Sequence, residues 1–146
     1  MSKPQHQIAL VEDTDADVFL VREALEQAGL EFGLLVLQDG EKALEFIDAV
    51  EAGHGGPIPH LIILDLNLPM VSGKEILERV KQTQTCSLVP VIILTSSESP
   101  RDKLEVFRLG AEYFQKSSKL DEFMKLGPLA RRLIEGRSAA SQTHGA

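Results

Sequence analysis

The chain has 146 residues, 43% of them hydrophobic and 25% charged, which is enough for one compact core and too little for two ordinary domains. A formal net charge of −7 argues against a surface built for nucleic-acid phosphates, which needs a clustered excess of Lys and Arg. No apolar run approaches the roughly 18 residues needed to cross a bilayer, and the opening MSKPQHQ lacks the charged and apolar regions of a secretion signal, so a cytoplasmic protein with neither membrane nor nucleic acid as a direct partner is expected.

Residues 8–11 form an apolar run that predicts a first strand, and Glu12 and Asp13 follow it directly. Thr14 and Asp15 offer a cap for a helix in which Val18, Val21, Leu25 and Ala28 recur at spacings of three or four, and Gly29 ends it. Residues 34–37 predict a second strand. Asp39 and Gly40 then lead into a helix with Ala43, Leu44, Ile47 and Val50 on one side, and residues 53–59 are a loop. Residues 61–64 are continuously apolar, as expected for a strand buried on both faces, yet Asp65 comes next, an unusual place for a carboxylate. Ser72 and Gly73 open a third helix with Ile76, Leu77 and Val80, and residues 91–94 predict a fourth strand that runs into Thr95, Ser96 and Ser97. Residues 101–109 are helical and Gly110 stops them; Tyr113 and Phe114 make a brief fifth strand before Lys116. A last helix is expected over 120–134, bent or broken at Gly127-Pro128 because proline removes a donor and clashes with the preceding turn. Residues 136–146 are small and polar and predict a disordered tail; with residues 1–6 as a lead, one folded domain spans 7–135.

Five strands alternating with five helices call for an α/β, doubly wound parallel sheet with right-handed crossovers and helices on both faces. Ligands of such sheets sit beyond the carboxyl ends of the strands. Here those ends carry Glu12 and Asp13, Asp65, Thr95 and Lys116. Three crowded carboxylates repel one another, and a hard divalent cation such as Mg2+ relieves the repulsion through oxygen ligands. Lys116 and the Thr95 hydroxyl would meet the oxygens of an incoming phosphoryl group, and the Asp65 carboxylate would be the nucleophile of an aspartyl-phosphate reaction. The sole cysteine, Cys86, excludes an internal disulfide and is read as inert, and His6, His54, His60 and His144 show no metal-site spacing.

LVED at 10–13, LIILDLNLPMVSG at 61–73, VIILTSS at 91–97 and GAEYFQK at 110–116 resemble, in order and spacing, the four signature blocks of response-regulator receiver domains. The resemblance implies a flavodoxin-like receiver fold with strand order 2-1-3-4-5, and a two-component signalling role in which the protein is no enzyme beyond its own phosphorylation and dephosphorylation. It further implies that a histidine kinase phosphorylates Asp65. Glu12, Asp13 and Asp65 would hold Mg2+ or Mn2+ with the backbone carbonyl of Asn67, and Thr95 and Lys116 would contact the phosphoryl group. Tyr113 matches the aromatic switch whose ring changes burial as Thr95 moves, and groups such as Asn67 and Ser97 would influence the lifetime of the phosphorylated state. The wording LVEDTDAD and DLNLP, with the long loop before the third strand, looks most like small regulators paired with phytochrome-type histidine kinases. With no output domain expected, the signal would leave by protein contact or phosphorelay. The apolar residues Leu120, Phe123, Leu126, Leu129, Leu133 and Ile134 exceed one core-facing stripe, and the resemblance implies a two-fold homodimer through the fourth helix, fifth strand and fifth helix.

Two positions depart from the family pattern. Glu12 stands where Asp is commoner, adding a methylene that favours contact with a metal through water. Ser117 follows Lys116 where the family usually has a cis proline, and because a cis bond without proline costs about 2.5–4 kcal/mol, a trans peptide is expected. Simpler readings exist for each residue: Glu12, Asp13 and Asp65 as caps, Thr95 as an ordinary strand residue, Lys116 as a solvated amine and Tyr113 as half-buried packing. Among rival functions, a haloacid-dehalogenase-type phosphatase wants a second acid two residues after its nucleophile, and Asn67 stands there. A flavodoxin-like FMN carrier wants a Ser/Thr/Gly-rich loop after the first strand, and Glu12-Asp13-Thr14-Asp15 repels phosphate. A receiver-like interaction module without phosphorylation has no need of the complete set.

Overall fold

A computed structural model describes residues 6–145; residues 1–5 of the expected lead and Ala146 of the expected tail lie outside the described residues. The elements in chain order are β1 (His6–Val11), α1 (Asp15–Gln27), β2 (Phe32–Leu37), α2 (Gly40–Glu51), β3 (Leu61–Asp65), α3 (Gly73–Gln82), β4 (Val91–Thr95), α4 (Pro100–Arg108), β5 (Glu112–Gln115), α5 (Leu120–Phe123) and α6 (Leu126–Gly145). All strand pairs are parallel, in the order β2-β1-β3-β4-β5. This is the doubly wound, flavodoxin-like topology.

The apolar runs work as the two-residue period of a strand requires. Ala9, Val11, Ile62, Leu64, Val91 and Ile93 pack with Ala43 and Ile47 of α2, Ile76 and Val80 of α3 and Val106 of α4. Their neighbours Ile8, Leu10, Leu61, Ile63, Ile92 and Leu94 pack against Val21 and Leu25 of α1, and against Phe123, Leu126, Ala130 and Ile134. β3 and β4 are buried along their whole length, which is why their sequences do not alternate. Ser72 and Ser99 cap α3 and α4, each accepting from the backbone N–H three residues on. Gly73 at the start of α3 is a close approach: a Cβ there would lie 2.3 Å from the Asp65 carbonyl oxygen. Its absence seats α3 directly against the end of the strand that carries Asp65.

Three expectations need correction. β1 begins at His6, inside the segment taken as a lead, and β2 begins at Phe32, because their polar or glycine-containing first residues still pair in register, His6 opposite Phe32 and Gln7 opposite Gly33. The last helix is not one bent helix: one turn, α5, stops at Phe123 and α6 begins at Leu126, so the break precedes Gly127-Pro128. Proline in the first turn costs little because those N–H groups have no intrahelical partner. The helix α6 is assigned as Leu126–Gly145, and residues 137–146 of the expected tail lie outside the fully described residues. The apolar residues of the last helix are mostly core, with Phe123, Leu126 and Ile134 buried and Leu129 and Leu133 packed against them, which leaves Leu120 exposed.

At Gly127 a Cβ would lie 2.2 Å from the carbonyl oxygen of Ala24 and 2.9 Å from the Ala28 Cβ, so α6 crosses α1 at backbone contact. Gly127→Ala is therefore expected to destabilise the fold by about 1–3 kcal/mol, the usual cost of overpacking a closed contact. Urea denaturation compared with wild type checks it, and an unchanged midpoint would contradict the close crossing.

Candidate functional site

β1, β3, β4 and β5 end side by side, and each delivers a polar group to one corner of the sheet. Glu12 and Asp65 are buried carboxylates, Thr95 is fully buried, and Asp13 is exposed at the rim. Carboxylate oxygens of Glu12, Asp13 and Asp65 lie within 4.8 Å of one another. Lys116 reaches across them: its Nζ donates to Glu12 Oε2 at 3.0 Å and to Asp65 Oδ2 at 3.3 Å. Its backbone N–H donates to the Thr95 carbonyl at 2.7 Å, extending the β4–β5 ladder by one residue. The Lys116–Ser117 peptide is trans, as expected, and the Ser117 hydroxyl accepts from Lys119 N at 3.1 Å, fastening the turn.

Glu12 is gripped from two sides. Oε1 accepts from the Asp13 and Thr14 backbone N–H groups at 3.0 and 3.3 Å and from the Thr14 hydroxyl, while Oε2 takes Lys116. The Thr14 hydroxyl is therefore turned to Glu12 and does not cap α1. Burial, reinforced by the Asp65 charge, pushes the Glu12 carboxyl up to about 7, against the pull of Lys116 and of the Thr14 backbone. Burial by itself would lower the Lys116 ammonium, but hydrogen bonds to Asp17 and Glu12 and the charges of Asp65 and Glu12 more than offset that and hold it above the ordinary lysine range.

The second half of the site is built around Thr95 Oγ1. It accepts from Asn67 Nδ2 at 3.2 Å and from Ser97 N at 3.0 Å, which occupies both lone pairs and leaves its O–H to donate elsewhere. Asn67 N donates to Asp65 Oδ1 at 3.0 Å, so Asn67 ties the carboxylate of β3 to the hydroxyl of β4. The Tyr113 hydroxyl donates to the Ser97 carbonyl oxygen, its half-buried ring has Lys103 Nζ 5.4 Å from its centroid, and burial, then Asp102 and Glu98, raise its pKa. The Ser97 hydroxyl in turn donates to Asp102 Oδ2 at 2.6 Å and accepts from Ser99 N at 3.1 Å, which anchors the start of α4.

Residues 8–126 match the family of response regulator receiver domains. This chain belongs to that family. The receiver is 36% identical over 126 residues to Response regulator Rcp1 of Synechocystis sp., with 86% of each chain covered. Among solved structures it is similar to the phosphorylated cyanobacterial phytochrome response regulator RcpA, with a TM-score of 0.78 at 29% identity over 88% of this chain and 94% of that one. The Mn2+-bound form of Rcp1 gives a TM-score of 0.76 at 34% identity over 87% and 92%. Two-component regulators, including phytochrome-associated ones, are thus its relatives, and divalent metal binding is a property found among them.

The structure brings Glu12, Asp13, Asp65, Asn67, Thr95 and Lys116 together and links Tyr113 to Thr95 through Ser97. Asn67 is engaged through its N–H and its side-chain amide. One residue escaped the sequence reading: Asp17, whose Oδ2 accepts from Lys116 Nζ at 2.7 Å. In the sequence Asp17 reads as an ordinary acid in the first turn of α1, and its partner lies 99 residues away. The donors of the triad are all oxygen and lie within 4.8 Å of one another, close enough for like charges to repel and for a divalent cation to relieve them, so the residues present fit such an ion. Magnesium at ten times its dissociation constant is expected to stabilise the receiver by about 1.4 kcal/mol, a rise of roughly 3–5 °C in Tm. Asp13→Ala is expected to lose most of that rise, and a wild-type melt that magnesium leaves unmoved would contradict the fit.

Proposed function

We propose that the receiver accepts a phosphoryl group from the phosphohistidine of a kinase onto Asp65, and that the kinase is of the phytochrome type. The observation that carries the reading is a buried strand-end carboxylate with an ammonium 3.3 Å from one oxygen and a backbone N–H 3.0 Å from the other. An oxygen of Asp65 attacks phosphorus in line as the phosphorus–nitrogen bond breaks, and the imidazole nitrogen leaves with a proton from solvent. Lys116 and the free O–H of Thr95 receive the phosphoryl oxygens. Mg2+ or Mn2+, held by Glu12, Asp13, Asp65 and the Asn67 carbonyl, supplies charge neutralisation at those oxygens when bound. Because both Glu12 oxygens are already engaged, its contact with the ion is best made through water. Hydrolysis is a second displacement at phosphorus, in which water attacks, the bond to the Asp65 oxygen breaks, and inorganic phosphate leaves with the water's protons shared with solvent. Receiver domains are generally not enzymes, and we assign this one no catalysis beyond its own phosphorylation and dephosphorylation.

Thr95 and Tyr113 are the proposed switch. When the Thr95 hydroxyl turns to a phosphoryl oxygen, its bonds to Asn67 and Ser97 must adjust, and Ser97 holds both Tyr113 and the first turn of α4. Output then passes by protein contact or phosphorelay in the cytoplasm; no described helix is long and apolar enough to cross a membrane, and neither nucleic acid nor membrane is needed as a partner.

Asp65→Asn is expected to fold as wild type does and to take up no acid- and base-labile phosphate from acetyl phosphate with magnesium. Equal incorporation in the variant would refute Asp65 as the acceptor.

A homodimer through α4, β5 and the expected fifth helix, which the structure divides into α5 and α6, is part of the same reading. Its support now rests on α4, where Phe107 is 78% and Leu104 49% exposed, because the last helix has spent its apolar residues on the core. Stable interfaces bury about 1,200–2,000 Å² in total, more than the nine residues of α4 supply, so β5 and the outer side of α5 and α6 must contribute. Light scattering at tens of micromolar, an order of magnitude for weak signalling interfaces, is expected to show a dimer that Phe107→Glu dissociates. Monomeric wild type, with and without beryllofluoride, would rule the dimer out.

A further inference from the structure

An ammonium has three N–H donors. Three carboxylates take those of Lys116: Asp17 Oδ2 at 2.7 Å, Glu12 Oε2 at 3.0 Å and Asp65 Oδ2 at 3.3 Å. Glu12 and Asp65 come from strand ends and belong to the triad whose oxygens lie within 4.8 Å of one another; Asp17 sits on α1, outside that triad. The acid nearest to the ammonium is therefore the one with no part in the proposed chemistry. Its side chain is 25% exposed, against 0% for Glu12 and 6% for Asp65, so it stands at the mouth of the site.

A phosphoryl group on Asp65 brings anionic oxygens that need Lys116. Glu12 and Asp65 would share their charge with a cation in the triad, whereas Asp17 keeps its full charge for the ammonium. The geometry points to Asp17 as a positioning residue that competes with the phosphoryl group for Lys116, and so limits how tightly a phosphoryl group is held at Asp65 and how long it stays. This rests on the reading of Asp65 as the acceptor. The strength of the competition follows from the partial exposure of Asp17, since ion pairs open to solvent are weakened by screening and by the entropy of holding two side chains. Asp17 acts as a moderate bias, not a block.

Four full-length proteins test this: wild type, Asp17→Asn, Asp17→Glu, and Asp15→Asn, which removes the same charge from an exposed position of the same helix turn. Beryllofluoride is titrated by fluorine NMR at saturating magnesium, the lifetime of the phosphorylated protein is followed after labelling with acetyl phosphate, and magnesium alone is titrated by thermal shift. Asp17→Asn is expected to bind beryllofluoride about three- to fivefold more tightly, in line with the modest worth of a partly exposed pair, and to hold phosphate correspondingly longer. Asp15→Asn and Asp17→Glu are expected to stay near wild type. Magnesium affinity is expected to move no more in Asp17→Asn than in Asp15→Asn, which separates competition for Lys116 from a general change of field. Unchanged beryllofluoride affinity in Asp17→Asn, weaker affinity, or an equal gain in Asp15→Asn would overturn the role of Asp17. Failure of wild type to bind beryllofluoride, or labelling of Asp65→Asn, would instead overturn the acceptor reading and this inference with it.

Discussion

Lys116 brings one positive charge to a corner of the sheet where Glu12, Asp17 and Asp65 all contact it and Asp13 lies close by. Acids therefore outnumber cations there, and two of them are buried. Burying a carboxylate without compensation is costly, which is why burial pushes Glu12 upward. The fold tolerates the imbalance because the ammonium is held from several directions at once and because backbone N–H groups supply the rest, Asp13 and Thr14 to Glu12 and Asn67 to Asp65. What remains uncompensated is an attraction for added positive charge. That residual attraction is the physical content of a metal site, and every chemical property proposed for Asp65 depends on it.

The same corner is joined mechanically to the surface. Thr95 Oγ1, the Ser97 peptide, the Tyr113 hydroxyl and the Ser97–Asp102–Ser99 contacts form a continuous chain from the end of β4 to the first turn of α4. Each link is a hydrogen bond to a group that is at least partly buried, so a displaced Thr95 cannot leave its partners unaffected without stranding a donor or an acceptor. Contiguity alone does not establish coupling. It does identify the element that would have to adopt two arrangements, the loop of residues 96–99, and the surface that would report it, the side of α4 where Leu104 and Phe107 are exposed.

Much of this was legible in the sequence because parallel sheets turn linear order into spatial order. The uninterrupted apolar runs of β3 and β4 could only be strands covered on both faces, and the polar residues directly after them then had to share one edge. The less legible features were those decided by partners distant in sequence. Nothing local marks Asp17 as the ligand of an ammonium 99 residues on. The surplus of leucines in the last helix suggested an outward face, yet the long groove beside α1 absorbs most of them, and the dimer argument had to move to α4.

The close crossing of α1 and α6 ties these observations together. Gly127 lets α6 rest on the backbone of α1 near Ala24, so α1 is clamped along its second half while its first turn, with Asp17, projects over the carboxyl edge of the sheet. Lys116 approaches the same point from the other side, anchored through its backbone to Thr95 and through the Ser117 turn. Neither residue is carried on a long loop. Both are fixed by elements whose own positions are set by core packing, which is the condition under which a difference of a few tenths of an ångström between competing contacts can bias a reaction. The site is acidic and strained in charge but firm in geometry, and that firmness comes from the apolar faces of helices which never touch it.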